Sequence, residues 1–186
     1  MTLLDQLKDY VADQVSILTG SDDEILPLFA YRFGEGDDEV VFSPIMANMG
    51  DAATKDKLCR HITASIAVTG ATEAFVVFSS WMLETTEPLK GPVSEHPDRV
   101  EVVTLFEATP GEGALHTAKL THNPPTLGEW QCHPSDVDGR FAEAMADGFI
   151  AGAMMPTELR ERAMSMGIEG AVRAFTAAMV QREATA

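Results

Sequence analysis

The spacing of apolar residues divides this chain into helix-like and strand-like segments. Across residues 2–18, Leu and Val recur at three- and four-residue steps while Asp and Lys take the other face, which is typical of an amphipathic helix. A second stripe, Leu58, Ile62 and Ile66, lies between a good capping residue, Asp51, and a good terminator, Gly70. We therefore predict helices over residues 2–18 and 51–70, the first of them capped by Thr2 and ended by Gly20.

Strand-like patterns dominate the middle of the chain. Residues 28–33 and 39–45 flank a turn-rich segment, 34–38, and this arrangement predicts a hairpin. In residues 74–83 both alternating sets are largely apolar, which indicates a strand covered on both faces and central to its sheet. Further strands are predicted over residues 99–108 and 114–122, with a short edge strand over 127–132.

Two helices are predicted to end the chain, over residues 138–154 and 158–182, with Pro156 between them. No internal repeat or interdomain linker is visible. The order of elements predicts a single α+β domain over residues 1–186. We expect a largely antiparallel sheet of about five or six strands, with residues 74–83 and 99–108 as central neighbours. One helix precedes the sheet, one is inserted into it, and two follow it.

Charge is the unusual feature of the composition, because 29 acidic residues stand against 13 basic ones and the formal net charge is −16. Such a field repels phosphate backbones, so we expect no direct binding of nucleic acid. Two interpretations of the acidity stay open. It can serve solubility or adaptation to salt, or the chain can imitate DNA and inhibit a nucleic-acid-binding protein.

The sequence also indicates where the protein works. Cys59 and Cys132 lie far apart and suggest no disulfide framework, which favours a reducing cytoplasm. Charged residues in the first helix are unlike a signal peptide, and the longest apolar or Gly stretch, 148–155, is too short to span a bilayer. We expect a cytoplasmic protein, or one of the host cytoplasm if the chain is viral, that does not bind membranes.

Reactive side chains are concentrated in the loop of residues 92–101, between two predicted strands. Ser94, His96 and Asp98 are the residue types of a hydrolytic triad. In an extended chain, however, residues two apart lie roughly 6.6–7 Å from each other, whereas a nucleophile and its base must approach to about 2.6–3.2 Å. The alternative is structural: Ser94 stabilises a turn, and His96 with the following Pro97 and Asp98 sets the entry of the next strand.

Arg99 gives the same loop a second interpretation. Its spacing from Glu101 places both side chains on one strand face, where we favour a salt bridge with Glu101, or with Glu84 or Glu87. The alternative is an arginine that binds an anionic ligand. The candidate functional loop therefore comprises Ser94, Glu95, His96, Asp98, Arg99 and Glu101.

Known signatures of metal and cofactor binding are missing from the sequence. There is no His-Glu-x-x-His, no Cys-x-x-Cys and no Gly-Lys-Ser/Thr phosphate loop. His116 and His122 share one strand face but stand about 20 Å apart by strand rise. We expect neither a metal nor a cofactor.

One stretch resembles a known pattern. The strand ending in Trp81 and the loop Ser94-x-x-Pro97-x-Arg99-x-Glu101 are similar to blocks of an uncharacterised bacterial and phage α+β family. In place of that family's Glu-Ala-Trp, this chain has Ser79-Ser80-Trp81. The resemblance implies a single α+β domain of microbial or viral origin, and it implies no reaction or cofactor.

These observations favour a non-enzymatic binding or assembly protein, whose partner is another protein or a second copy of itself. A homodimer is expected to form through the segment 149–155, where small residues allow close helix approach. The candidate interface residues are Phe149, Ile150, Met154 and Met155. The alternatives are a small hydrolase or anionic-ligand-binding enzyme that uses the loop, and the DNA-mimicking inhibitor.

Overall fold

The fold is built from seven strands and five helices in the part of the chain that the structure, a computed structural model, describes: residues 1–19, 25–34, 39–46, 51–83, 91–134 and 139–185. The helices are α1 (Leu3–Ile17), α2 (Ala52–Thr69), α3 (Arg140–Met154), α4 (Thr157–Met164) and α5 (Ile168–Glu183). The strands are β1 (Leu28–Phe33), β2 (Glu39–Pro44), β3 (Glu73–Met82), β4 (Val100–Thr109), β5 (Glu112–His122), β6 (Pro125–Leu127) and β7 (Gln131–Pro134). The predicted α+β class is confirmed.

The strands form an antiparallel sheet in the order β2-β1-β3-β4-β5-β6, and β7 also pairs with β5. Strand β3 lies between β1 and β4, and its register with β4 runs from Ala74 opposite Ala108 to Met82 opposite Val100. The expected central position of residues 74–83, beside residues 99–108, is therefore confirmed. β6 and β7 share the outer edge of β5, each along a different part of its length.

Two hydrophobic cores lie on the two faces of the sheet, because successive strand residues point to opposite sides. On one face, Phe75, Val77 and Leu105 pack against α1, whose Leu3 and Leu7 are fully buried. On the other face, Phe29, Val76 and Phe106 are covered by α2 and α3. A third, smaller cluster joins α2 to α5 and includes Val68 and Val172. The layers are thus α1, the sheet, the α2–α3 pair and then α5.

The caps of the first two helices agree with the sequence interpretation. Thr2 and Asp5 form a reciprocal capping box at the start of α1, and the hydrogen bonds from Thr2 lower the pKa of the Asp5 carboxyl. Asp51 accepts a hydrogen bond from the Thr54 backbone N–H at 2.8 Å, and Gly70 ends α2 in the left-handed conformation, with φ 67°. The expected roles of Asp51 and Gly70 are therefore confirmed.

Several predicted boundaries differ from the structure. The helix expected over residues 158–182 is two helices, because Gly167 adopts φ 75° between α4 and α5 and interrupts the helical hydrogen bonding. The short strand expected over residues 127–132 is replaced by β6 and β7. Helix α1 has Leu18 as its C-cap, and Gly20, which was expected to end it, lies outside the described residues, as do residues 35–38 of the hairpin turn and Asp138.

Helix α3 approaches α2 unusually closely. A Cβ atom added at Gly148 would lie 2.8 Å from Ile66 Cβ, and one at Gly152 would lie 3.4 Å from Ala67 Cα. The Thr63 hydroxyl donates a buried hydrogen bond to the Ala144 carbonyl, at 2.8 Å. The guanidinium of Arg160, from α4, donates to the Gly152 carbonyl and packs beside Gly70, so it sits at the carboxyl ends of both helices.

Candidate functional site

Within the described residues, Ser94, His96 and Asp98 do not have the geometry of a catalytic triad. Residues Val93–Glu95 form a single 3₁₀ turn with Ser94 exposed, and His96 is extended with φ −74° and ψ 135°. The Nδ1 atom of His96 accepts a hydrogen bond from the Asp98 backbone N–H at 3.2 Å, and the Asp98 carboxylate lies 3.9 Å away. Among the described contacts, no hydrogen bond joins Ser94 to His96. The arrangement supports the structural interpretation, in which His96 shapes the entry to β4.

Arg99 forms a contact that its sequence neighbours do not predict. Its guanidinium lies over the ring of Trp81, 4.5 Å from the ring centroid, and one of its N–H groups donates to the His96 carbonyl at 3.2 Å. The favoured salt bridge with Glu101 is not formed, because the Glu101 carboxylate pairs with His122 instead. Glu84 and Glu87, the other expected partners, lie outside the described residues, and Glu95 is exposed in the turn.

Two Glu–His pairs lie on the α1 side of the sheet. Glu101 Oε2 is 2.7 Å from His122 Nε2, and Glu107 Oε2 is 2.8 Å from His116 Nε2. Both pairs are largely shielded from solvent. Both pairs join β4 to β5 at the same diagonal offset. The reason is that Glu101 and Glu107 are six residues apart on β4, and His116 and His122 are six residues apart on β5. The equal spacing is present in the sequence, but His116 and His122 considered without the two Glu are too far apart to indicate a site.

The described residues offer no metal centre at this site, and the thiol of Cys59 is not activated. They contain no group of three or more His, Cys, Asp or Glu side chains that could hold a metal ion. Both cysteines are free. Burial raises the pKa of the Cys59 thiol, so it is kept protonated and is a poor nucleophile near neutral pH.

The four candidate interface residues have different environments. Phe149 is only 8% exposed and belongs to the core under the sheet, so it cannot meet a partner in this conformation. Met155 is half-buried against α5. Ile150 and Met154, in contrast, are 59% and 78% exposed. Gly152, expected to permit a close approach between subunits, is used within the chain, against α2.

The outer face of α3, defined by Ala146, Ile150, Ala153 and Met154, is an exposed apolar stripe. Its members follow the i, i+4, i+7, i+8 spacing that places residues on one side of a helix. The inner side of α3 is also apolar, and it is buried. From Gly148 to Met154, α3 is therefore apolar all round, and a helix of that kind is normally covered on all sides. Within the described chain, nothing covers the outer face of α3.

A separate groove lies between α4 and α5. Its volume is about 320 Å³ and its lining is mostly apolar. The lining includes Leu159 and Met166, which are 54% and 55% exposed, and the deeper Ala171 and Phe175. Arg162 contributes the one charged side chain of the described lining.

Charge is distributed unevenly along the chain. Residues 1–138 carry 23 acidic and eight basic residues, whereas residues 139–186 carry six acidic and five basic ones. The last three helices are therefore close to neutral, although the whole chain has a formal charge of −16. Their two exposed apolar surfaces therefore lie in the least acidic part of the chain.

Comparison with known protein families, with curated proteins and with solved structures finds no match to this chain. Among the helices of the described residues, none combines the length and the apolar character that crossing a bilayer demands.

Proposed function

We propose that this protein is a non-enzymatic binding or assembly protein that associates with a second copy of itself through the outer face of α3. The observation that carries the proposal is the two-sided apolarity of this helix. Its inner side is buried against α2 and the sheet, and its outer face exposes Ile150 and Met154. Exposed apolar stripes of this kind mark contact surfaces in soluble proteins.

The charge distribution favours a second copy as the occupant. Two copies of a chain with a net charge of −16 repel each other over most of their surface. That repulsion is lowest at residues 139–186, where acidic and basic residues nearly balance. Closed twofold dimers are the commonest soluble oligomers, and a helix face can pair with its own copy in such a dimer.

An antiparallel pairing of the two α3 helices fits the positions of the charged residues. The exposed carboxylates of Glu143 and Asp147 lie in the first half of α3, and Met154 ends it. A twofold axis near Ile150 brings the acidic half of each helix to the uncharged half of its partner and keeps like charges apart. Ala146 and Ala153 are small enough to let the two helices approach.

Analytical ultracentrifugation over a range of protein concentrations tests the proposal. We expect the wild type to dimerise and the variant Ile150→Glu/Met154→Glu to remain a folded monomer, because two charges are then forced into an apolar contact. The matched control is Ile17→Glu, which adds a charge at an exposed apolar helix position (67% exposed) remote in sequence from α3. It is expected to dimerise like the wild type.

Three outcomes contradict this proposal. A wild type that stays monomeric at every concentration ends the idea of self-association. Dimerisation that persists in the double variant but is lost in Ile17→Glu moves the interface to another surface. A monomer that forms a specific complex with a different protein through Ile150 and Met154 replaces the second copy with another partner.

A second candidate, the binding of an anionic ligand at Arg99, is favoured by one observation. Among the described residues, no carboxylate pairs with the guanidinium of Arg99, although the chain is strongly acidic. In a Trp130→Phe background, Trp81 fluorescence would report titration with acetate or inorganic phosphate. Saturable changes that disappear in Arg99→Lys and persist in His96→Ala support this candidate; unchanged fluorescence removes it. For either candidate we propose the cytoplasm as the location.

A further inference from the structure

The groove between α4 and α5 has the form of a small-molecule site. Its volume of about 320 Å³ is at the lower end of the range for such sites, roughly 300–1,000 Å³. Met155, Leu159, Met166 and Phe175 supply long apolar side chains to its walls, and Ala163 and Ala171 leave space between them. We propose that this groove binds a single-chain amphiphile with one negative charge, such as a medium-chain carboxylate.

The apolar part of this ligand is required by the lining. Most side chains around the groove are aliphatic, aromatic or thioether groups, and Met is well suited to adaptable contacts with flexible chains. Leu159 and Met166 are more than half exposed at the groove. An alkyl chain that covered them would be stabilised by the apolar area removed from water. The volume is too small for a lipid with two long chains.

The anionic head group follows from Arg162. Its guanidinium is exposed at the groove and forms no ion pair with any carboxylate of the described residues. A guanidinium binds a carboxylate through two parallel hydrogen bonds. Ser165 also lines the groove, but its hydroxyl already donates to the Arg162 carbonyl at 2.7 Å. Arg162 is therefore the group that would select the charge of the ligand.

The net charge of the protein limits the head group to a single charge. A formal charge of −16 repels anions at long range, and the repulsion is larger for a dianionic phosphate than for a monocarboxylate. Local pairing with one arginine offsets the smaller repulsion more readily. The proposal does not rest on self-association, because the groove lies on α4 and α5 whereas the proposed dimer contact lies on α3.

Calorimetric titration tests the site, with decanoate below its micellar concentration as the probe. The experiment uses the full chain at a concentration where ultracentrifugation shows a single species. We expect saturable binding of one decanoate per chain and at least tenfold weaker binding of decyltrimethylammonium, which has the same chain length and the opposite charge. Octanoate is expected to bind about four- to sixteenfold more weakly than decanoate, because two CH₂ groups fewer are buried.

Two pairs of variants place the ligand in the groove. Ala174→Trp fills the groove from an exposed position of α5, whereas Ala178→Trp puts the same ring one turn further along the helix, outside the lining. The first is expected to abolish binding and the second to leave it unchanged. Arg162→Gln is expected to remove the preference for decanoate over decyltrimethylammonium, and Arg182→Gln, an exposed arginine outside the groove, is expected to keep it.

The proposal is overturned if decanoate shows no saturable heat. It is also overturned if Ala174→Trp, shown by circular dichroism to be folded, binds as well as Ala178→Trp. Equal binding of the anionic and cationic probes would remove the assigned role of Arg162. Because these readouts do not depend on the oligomeric state, their failure is distinguishable from a failure of self-association.

Discussion

The two sides of α3 have similar residue types and different environments. On the inner side, Gly148 and Gly152 bring the helix backbone against Ile66 and Ala67 of α2. On the outer side, Ile150 and Met154 project away from the rest of the described chain. Small and apolar residues alone therefore do not identify a contact between subunits. What distinguishes the two sides is whether the chain itself supplies a surface that fits.

The inner side shows what a fitted surface requires. Ile66 and Ala67 approach the two glycines, and the Thr63 hydroxyl bonds the Ala144 carbonyl across the helix pair. Each of these contacts depends on the backbone separation that the glycines permit. The outer face lacks such a neighbour within the described residues. A partner there has to supply apolar area without long-range charge repulsion.

The largest expected effect on stability comes from placing a bulky side chain on the inner side of α3. We predict that Gly148→Leu lowers the free energy of unfolding by about 3 kcal/mol or more, because even its Cβ would lie 2.8 Å from Ile66 Cβ. The gain in helix propensity over glycine, about 1 kcal/mol, does not offset this clash. Denaturant unfolding followed by circular dichroism measures the loss.

The matched control for this change is Ala146→Leu, two residues away on the outer face. Both substitutions are made in the Ile150→Glu/Met154→Glu background, so that the proposed dimer contact does not contribute to the stability. It adds a similar volume where there is space, so we expect a change within about 0.5 kcal/mol. Equal destabilisation by the two substitutions would show that the sides of α3 are not different in the way the structure indicates.

This difference between the two sides could not be predicted from the sequence. The segment 149–155 is apolar around the helix, and periodicity alone does not show which side meets α2. The sequence therefore places Phe149 in an interface and predicts that Gly152 allows a close approach between subunits, although both are buried within the chain. By contrast, local signals sufficed for the centre of the sheet. The two-sided apolarity of β3 predicted its place between two neighbours, and Asp51 and Gly70 marked the ends of α2.

The candidate functional loop also shows that local sequence patterns do not predict contacts between distant parts of the chain. Its extended conformation at His96 and the absence of a hydrogen bond from Ser94 to His96 among the described contacts agree with the objection based on local spacing. The partners of Arg99 and Glu101, however, come from β3 and β5. Their choice depends on strand order and register, which a spacing of two within β4 does not reveal.

The second largest effect is expected at the carboxyl end of α3, where Arg160 links it to α2. We predict that Arg160→Met destabilises the fold by about 2 kcal/mol, since it removes a charge-assisted bond to the Gly152 carbonyl and a cation near the ends of two helices. Arg162→Met, two residues away and exposed, should change stability by less than about 0.5 kcal/mol. Thermal and chemical unfolding of both variants tests this contrast, and similar losses would contradict it.

A smaller loss of stability is expected when only the hydrogen bond between Thr63 and Ala144 is removed. Thr63→Val keeps the shape of the side chain but removes the hydroxyl that donates to the Ala144 carbonyl. We expect a loss of about 1 kcal/mol, the usual net contribution of one buried hydrogen bond. Thr63→Ser, which retains the hydroxyl, is the companion variant. If Thr63→Val is as stable as the wild type, this bond contributes nothing to holding α3 on α2.

The smallest expected effect is a pH dependence of the folding stability, which arises from His61 in α2. The ring of His61 meets Phe29 edge-on, with 6.4 Å between ring centroids, and burial lowers the pKa of this imidazole although part of the residue is exposed. In the unfolded chain the pKa returns to about 6.5. Below that pH the unfolded state therefore binds more protons than the folded state, and stability falls as the pH decreases towards the folded-state pKa.

Replacing His61 with Gln removes this contribution. The test measures the unfolding free energies of the wild type and His61→Gln between about pH 8 and pH 5. As the pH falls through about 6.5, we expect the stability of the variant to rise relative to that of the wild type. Other titrating groups are common to both proteins and cancel in the difference. A difference that stays constant across this range would mean that His61 takes up its proton equally well in the folded and unfolded chains, and that its contact with Phe29 does not shield the ring.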